Sequence, residues 1–289
     1  MKPSPFAYHE PRSLVEAVEL FSTLPNPRLL AGGQSLVPML NFRIASPDHL
    51  IDLNGIDALR GIELLPNIVS VGAMTTQRSL EHSEVLQKHC PLLSVAVQHV
   101  GHQQTRNRGT LGGSLCHLDP AAELPVAAAA LNPVMVAMGP GGERRLRFSD
   151  FSAGYLSNTL QSDEILVRVE FPRLPAGGRV AFVEIARRPA DFAIVSVAVQ
   201  IVLAPGDIVA EARIAIGGLT AAPVRLTKAE VTLTGRRLDD KSIAEAREIA
   251  TELDGEGDSL NPAEYRKHLA GVLTVRALQR TAQKDVANA

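Results

Sequence analysis

The chain has 289 residues, 45% hydrophobic and 21% charged, with a formal net charge of −2. That length allows two or three packed units, and a near-balanced charge with no long run of one sign gives no support for nucleic acid or an acidic membrane as a partner. Cys90 and Cys116 form no Cys-x-x-Cys pair, which argues against a disulfide framework or a cysteine-ligated cluster.

The opening Met1-Lys2-Pro3-Ser4-Pro5-Phe6 lacks the apolar core of a signal peptide, so a cytoplasmic chain is expected. Leu14, Val15, Val18 and Phe21 have helical spacing over Ser13 to Leu24, with Ser13 and Glu16 reading as a capping box. Arg28 to Ala31 and His49 to Leu53 read as short strands around a brief helix ending at Phe42, a small βαβ-like unit. Ile68 to Ala73 is a predicted strand, and Thr75-Thr76 caps a helix over Gln77 to His82. A further helix covers Pro91 to His99, and an alanine-rich one starts near Pro120. The latter is too short and too interrupted, by Glu123 and Pro125, to cross a membrane. Val134 to Met138 and Arg144 to Phe148 read as strands joined by the Gly139-Pro140-Gly141-Gly142 turn, followed by a strand over Ile165 to Phe171.

The texture changes at Leu174-Pro175-Ala176-Gly177-Gly178. Val180 to Ala186, Ala193 to Leu203 and Val209 to Ile216 are strand-like, with Pro205-Gly206-Asp207 as a hairpin turn. Helices follow over Pro223 to Leu233, Lys241 to Leu253 and Pro262 to Thr281. Strands and then helices predict an α+β unit, a sheet under a helical layer.

Two glycine segments stand out. One is Leu29-Leu30-Ala31-Gly32-Gly33-Gln34-Ser35-Leu36; the other is Thr110-Leu111-Gly112-Gly113-Ser114. Adjacent glycines with a nearby hydroxyl suit a backbone that closes around phosphate, because no Cβ blocks the anion and successive N–H groups converge. Either pair alone also fits an ordinary turn. Neither matches Gly-x-Gly-x-x-Gly or Gly-x-x-x-x-Gly-Lys-Ser/Thr, which disfavours a Rossmann dehydrogenase or a P-loop ATPase.

Other constellations are weaker. The histidines show no metal-ligand spacing and no Gly-x-Ser-x-Gly elbow occurs, so neither a metal site nor a hydrolase is supported. Arg106 and Arg108 read equally as a solvated basic turn or as charge compensation for a pyrophosphate. Asp119 and Glu123 suit either the start of a helix or hydrogen bonding to ribose or ribityl hydroxyls. Phe192, within Arg187-Arg188-Pro189-Ala190-Asp191-Phe192-Ala193, fits a core position or the face of a flat ring.

Together these segments resemble the FAD-binding medium subunit of the molybdenum hydroxylases, a family that includes xanthine dehydrogenases, aerobic carbon monoxide dehydrogenases and N-heterocycle dehydrogenases. One flavin loop of the family has the form Ala-Gly-Gly-His/Gln-Ser, matched by Ala31 to Ser35. The other has the form Arg-Asn-x-Gly-Thr-Ile-Gly-Gly-Asn, followed by Asp-Pro and an acidic residue. Arg106 to Ser114, Asp119-Pro120 and Glu123 match it, with Ser114 in place of the usual Asn and Glu123 where Asp is common. The loops lie about 75 residues apart, close enough for one domain. Arg187 to Ala193, Ile214 to Gly218 and Pro262 to Leu278 resemble the family's C-terminal part.

The resemblance implies an α+β chain: a two-subdomain, two-loop (PCMH-like) FAD-binding unit at 1–56 and 57–175, then a C-terminal antiparallel sheet with a helical layer at 176–289. It implies that Leu29 to Leu36 and Thr110 to Ser114 hold the FAD pyrophosphate and ribityl chain. Glu123 and Asp119 would accept from cofactor hydroxyls, Val100 and Leu166 would line the pocket, and Phe192 would cover the isoalloxazine ring. No catalytic side chain and no metal ligand is expected on this chain. The implied role is electron transfer from the 2Fe–2S clusters of a small partner to an external acceptor. Hydroxylation takes place at the molybdenum cofactor of a large partner, in a dimer of heterotrimers. A self-sufficient flavin oxidase or dehydrogenase, and a non-catalytic nucleotide-binding scaffold, remain alternatives.

Overall fold

The computed structural model describes residues 2–283. At the N-terminus, β1 (Ala7–His9), α1 (Leu14–Thr23), β2 (Pro27–Leu30), α2 (Leu36–Asn41) and β3 (His49–Asp52) form a parallel sheet in the order β1-β3-β2. The β2–α2–β3 crossover is the expected βαβ unit. Ser13 caps α1 by accepting from the Glu16 N–H at 3.2 Å, but the capping box is incomplete. The Glu16 carboxylate reaches past Ser13 and accepts from the Arg12 N–H at 2.8 Å.

Two short 3₁₀ turns, Leu53–Gly55 and Asp57–Leu59, lead into the middle of the chain. Its elements are β4 (Ile62–Leu64), β5 (Ile68–Gly72), α3 (Gln77–Glu81), α4 (Glu84–His89), α5 (Pro91–His99), α6 (Gln103–Arg108), α7 (Leu111–His117) and α8 (Glu123–Leu131). These are followed by β6 (Val134–Gly139), β7 (Gly142–Arg147), α9 (Phe148–Phe151), the small hairpin β8 (Ser152–Gly154) and β9 (Ser157–Asn158), and β10 (Ile165–Pro172). The antiparallel sheet runs β4-β5-β10-β6-β7, and Gly139 pairs with Gly142 across the predicted turn. Thr76 caps α3, accepting from the Ser79 N–H at 3.1 Å. Every residue of α8 is buried, as expected of a helix that is apolar all round. It begins three residues later than Pro120, because Asp119 folds the chain into a turn by accepting from the Ala121 N–H at 2.9 Å.

The C-terminal sheet is β11 (Gly178–Ala186), β12 (Ala193–Ala204), β13 (Ile208–Gly217) and β14 (Val224–Arg225), antiparallel throughout. The helices are α10 (Thr227–Leu233), α11 (Asp240–Thr251) and α12 (Ala263–Ala282). The helix expected from Pro223 starts at Thr227, since Val224 and Arg225 pair with β13 instead. The sheet is covered on both faces, not one. Along β12, Val195, Val197, Val199 and Ile201 face the core beneath α10–α12, and Ala198, with Phe182 and Ala215, joins the core around α5 and α8. Each of the fully buried valine and isoleucine side chains is worth about 1.5–3 kcal/mol relative to exposure. A third core joins α1 and β3 to Val136, Ile165 and Val167 of the middle sheet. No helix among the described residues is long and apolar enough to cross a membrane.

Candidate functional site

The two glycine segments, distant in sequence, pack directly on each other. In the first, the chain leaves β2 through Ala31 and Gly32 and turns at Gly33, whose φ of +74° favours glycine. Gly32 is buried, and a Cβ there would lie 2.2 Å from the Arg108 carbonyl oxygen. Gln34 and Ser35 stand exposed at the tip, with the Gln34 amide donating to the Gly32 carbonyl at 3.1 Å. Ser35 precedes α2 as expected, but its hydroxyl makes no capping bond. Leu29, Leu30, Ala31 and Leu36 are half-buried behind the turn.

The second segment is not an open loop. Thr110 caps α7, its hydroxyl accepting from the Gly113 N–H at 3.0 Å, and Leu111 to Ser114 form the first turn of that helix. Helical glycine is costly, so each one needs a cause. For Gly112 the cause is packing: its N–H donates to the Ala73 carbonyl at 2.8 Å, and a Cβ would meet Ala73 Cβ at 2.7 Å. Gly113, half-buried, faces the first segment, with Ala31 Cβ 3.6 Å from where its Cβ would stand. Leu111 is buried and Ser114 is half-buried.

Arg106 fits neither sequence-based expectation. It pairs two-pronged with Glu81, at 3.1 and 3.2 Å, and donates to the carbonyls of Val100 and Gly101 at 3.0 and 2.9 Å. It is thus neither solvated nor available to a ligand; it locks α6 to α3. Arg108 is exposed.

Sequence reasoning missed the brace behind the first segment. The Asn54 amide donates to the Ala31 carbonyl at 2.9 Å and to Asp52 at 2.6 Å. Arg60 donates to Asn54 and, at 3.1 Å, to the Met74 carbonyl, beside the Ala73 that supports Gly112. The Tyr8 hydroxyl donates to Asp52 at 2.5 Å, which holds its pKa up at about 12. Asp52-x-Asn54, a turn signature, was the available signal.

From the glycine pair, α7 runs seven residues, about 10 Å at 1.5 Å per residue, to Leu118, which turns through a φ of +50°. Asp119 follows, at the edge of a cleft of about 420 Å³ that Tyr155, Arg187, Asp191, Phe192 and Arg266 also line. Phe192 is 71% exposed at the turn from β11 to β12, so it is no core residue. Its N–H donates to the Asp191 carboxylate at 2.9 Å. The floor is tightly held: Gly218 donates to the Pro120 carbonyl at 3.0 Å, and Arg266 donates to Ile194 and Gly218 carbonyls at 3.0 and 2.5 Å while pairing with Asp258. Val100 is half-buried at the end of α5, and Leu166 is 4% exposed inside the core.

Glu123, the first residue of α8, is buried, and its pKa is pushed up to about 8 by burial and then by the nearby carboxyls of Glu184 and Asp119. Burial likewise pushes the Cys90 and Cys116 thiols up to about 12, far from a reactive thiolate. Among the described residues, no group of three or more His, Cys, Asp or Glu side chains could hold a metal ion.

Residues 4–174 match the family described as the FAD binding domain in molybdopterin dehydrogenase, and residues 180–281 the CO dehydrogenase flavoprotein C-terminal domain. The chain is 32% identical to the glyceraldehyde dehydrogenase medium chain of Sulfolobus acidocaldarius, covering 98% of this chain and 100% of that one. It is 38% identical to the caffeine dehydrogenase subunit beta of Pseudomonas sp. strain CBB1, covering 99% and 98%. Its fold superimposes on a chain of the carbon monoxide dehydrogenase of Hydrogenophaga pseudoflava with a TM-score of 0.95, at 34% identity, over 98% and 99% of the two chains. The chain belongs to the family of FAD-binding medium subunits of molybdenum-containing dehydrogenases.

The residues present fit that cofactor. Gly33, Gly113 and Ser114 leave the rim of the paired segments without side-chain bulk. At the far end of α7 the separate cleft beside Asp119 offers an exposed aromatic face, Phe192.

Proposed function

We propose that this chain holds one FAD non-covalently between the paired glycine segments and the Phe192 cleft. Leu29, Leu30, Ala31, Gly32, Gly33, Gln34, Ser35 and Leu36 form one wall of the pyrophosphate and ribityl site, and Thr110, Leu111, Gly112, Gly113 and Ser114 the other. Asp119 lies toward the cofactor hydroxyls with Glu123 buried behind it, Val100 and Leu166 back the pocket, and Phe192 covers one face of the ring system. The bound FAD supplies the redox chemistry. The residues of this chain bind it, orient it and exclude water from one side.

The observation that carries this reading is the backbone-to-backbone packing of Gly32 on Arg108 and Gly109. It brings two segments remote in sequence side by side. In the working enzyme, electrons arrive from the iron–sulfur clusters of a small partner and leave to an external acceptor, and hydroxylation belongs to the large molybdopterin partner. A cytoplasmic dimer of heterotrimers, with this chain divided near residues 56 and 175, completes the proposal. Gly33→Val tests it: a β-branched residue at a φ of +74° disrupts the turn. The expected result is loss of bound FAD while the C-terminal part stays folded. Wild-type flavin content in that variant would sink the assignment.

A further inference from the structure

Beneath the floor of the cleft lies a second polar cluster that the glycine segments do not explain. Ala193, Ile194 and Gly218 line the cleft. One step further into the sheet, Ser196 pairs with Glu184 on one side and Gly217 on the other, so all three present the same face. That face meets α8: a Cβ on Gly217 would lie 2.3 Å from Val126 Cγ2, 2.9 Å from Ser196 Oγ and 3.5 Å from the Pro120 carbonyl oxygen. Glu123 precedes Val126 by three residues and shares its side of the helix. Glu123 therefore points into the Ser196–Glu184 face.

From the opposite side, His99 of α5 places Nδ1 3.3 Å from Glu184 Oε1, and its ring lies 5.1 Å from that of Phe182. Two buried atoms in this cluster lack any hydrogen-bond partner, Glu184 Oε2 and Ser196 Oγ. A buried carboxylate oxygen without a donor is costly, and the Glu184 charge acts on the buried Glu123 carboxyl. The carboxyls of Glu184 from β11 and Asp119 from the preceding turn act on Glu123; His99 from α5 and Ser196 from β12 flank Glu184, and β13 offers Gly217.

We propose that Glu123, Glu184, Ser196 and His99 form a one-proton cluster under the cofactor cleft, whose charge tunes the electron affinity of the ring bound above. Glu123 holds the proton; Glu184, His99 and Ser196 are positioning residues. This rests on the FAD reading of the cleft. The O–H bond of Glu123 is the one bond of this chain that forms or breaks. In the test the electrons come from an added chemical reductant, and the proton comes from or returns to solvent. Loss of the proton adds a negative charge beneath the ring, which makes reduction harder.

The test is the flavin midpoint potential of the FAD-loaded full chain, measured from pH 6 to 9 for the wild type, Glu123→Gln and Glu184→Gln. In the wild type the potential should fall more steeply with pH through about pH 8, where Glu123 releases its proton. Glu123→Gln should lack that extra slope. Glu184→Gln, which removes a neighbouring carboxyl and leaves Glu123 in place, should move it to lower pH. Three parallel lines would overturn the proposal. If Glu123→Gln loses FAD, the Glu184→Gln shift alone decides. A wild-type chain that takes up no FAD would instead overturn the cofactor reading and the coupling with it.

Discussion

Glu123 makes a claim that needs no cofactor. Its carboxyl ordinarily ionises near 4.5 but holds its proton to about pH 8 in the folded chain. The folded state therefore binds more protons than the unfolded state between those values. The associated stability is complete below the ordinary pKa and is lost as pH rises through about 8. The loss is on the order of a few kcal/mol. Urea midpoints of the apo chain at pH 5 and pH 8 should diverge between wild type and Glu123→Gln, with the variant relatively more stable at the higher pH. An unchanged difference would show that Glu123 does not hold its proton. Phe192 is the contrasting case. At 71% exposure, Phe192→Ala should shift stability by no more than about 0.5 kcal/mol while altering the spectrum of bound flavin. An unaltered spectrum would remove it from the ring face.

Among the elements, the decisive unit is the joint between the two glycine segments. Gly32→Ala places a methyl group 2.2 Å from the Arg108 carbonyl oxygen. The chain must shift there, at a cost of about 1–3 kcal/mol by the measure of overpacked cores, and FAD occupancy should fall. Asn54→Ala removes the bond to the Ala31 carbonyl. It should cost about 1 kcal/mol of stability and weaken FAD binding without adding bulk, which a titration with FAD would detect; unchanged affinity would show that the brace is only structural. Much of this was legible in the sequence. The glycine pairs, the Thr76 cap, the hairpin glycines and the β-rich run of β12 each follow from local chemistry. Other parts were not. The α6 segment Gln-Gln-Thr-Arg-Asn-Arg buries no residue and so carries no apolar period, and β1 and β4 are short and mostly exposed. The helical state of Leu111 to Ser114 was hidden because glycine disfavours helix, and its cause, contact with Ala73, is long-range. Arg106 reads as a loop cation until the fold brings Glu81 to it.

At the scale of the whole molecule, four sheets pack around three hydrophobic cores, and the proposed part of the chain is to cradle a cofactor that carries the chemistry. That is the division of labour expected of a flavin-carrying medium subunit. Purified with tagged chain as bait, the small iron–sulfur and large molybdopterin partners should co-elute; their absence from native extracts would contradict the assembly. The most direct test of the central claim is the visible absorption spectrum of the chain purified alone, before and after denaturation, with FAD added if it is colourless. A yellow protein that releases intact FAD on unfolding is the expected result. A chain that stays colourless after FAD is added would contradict it.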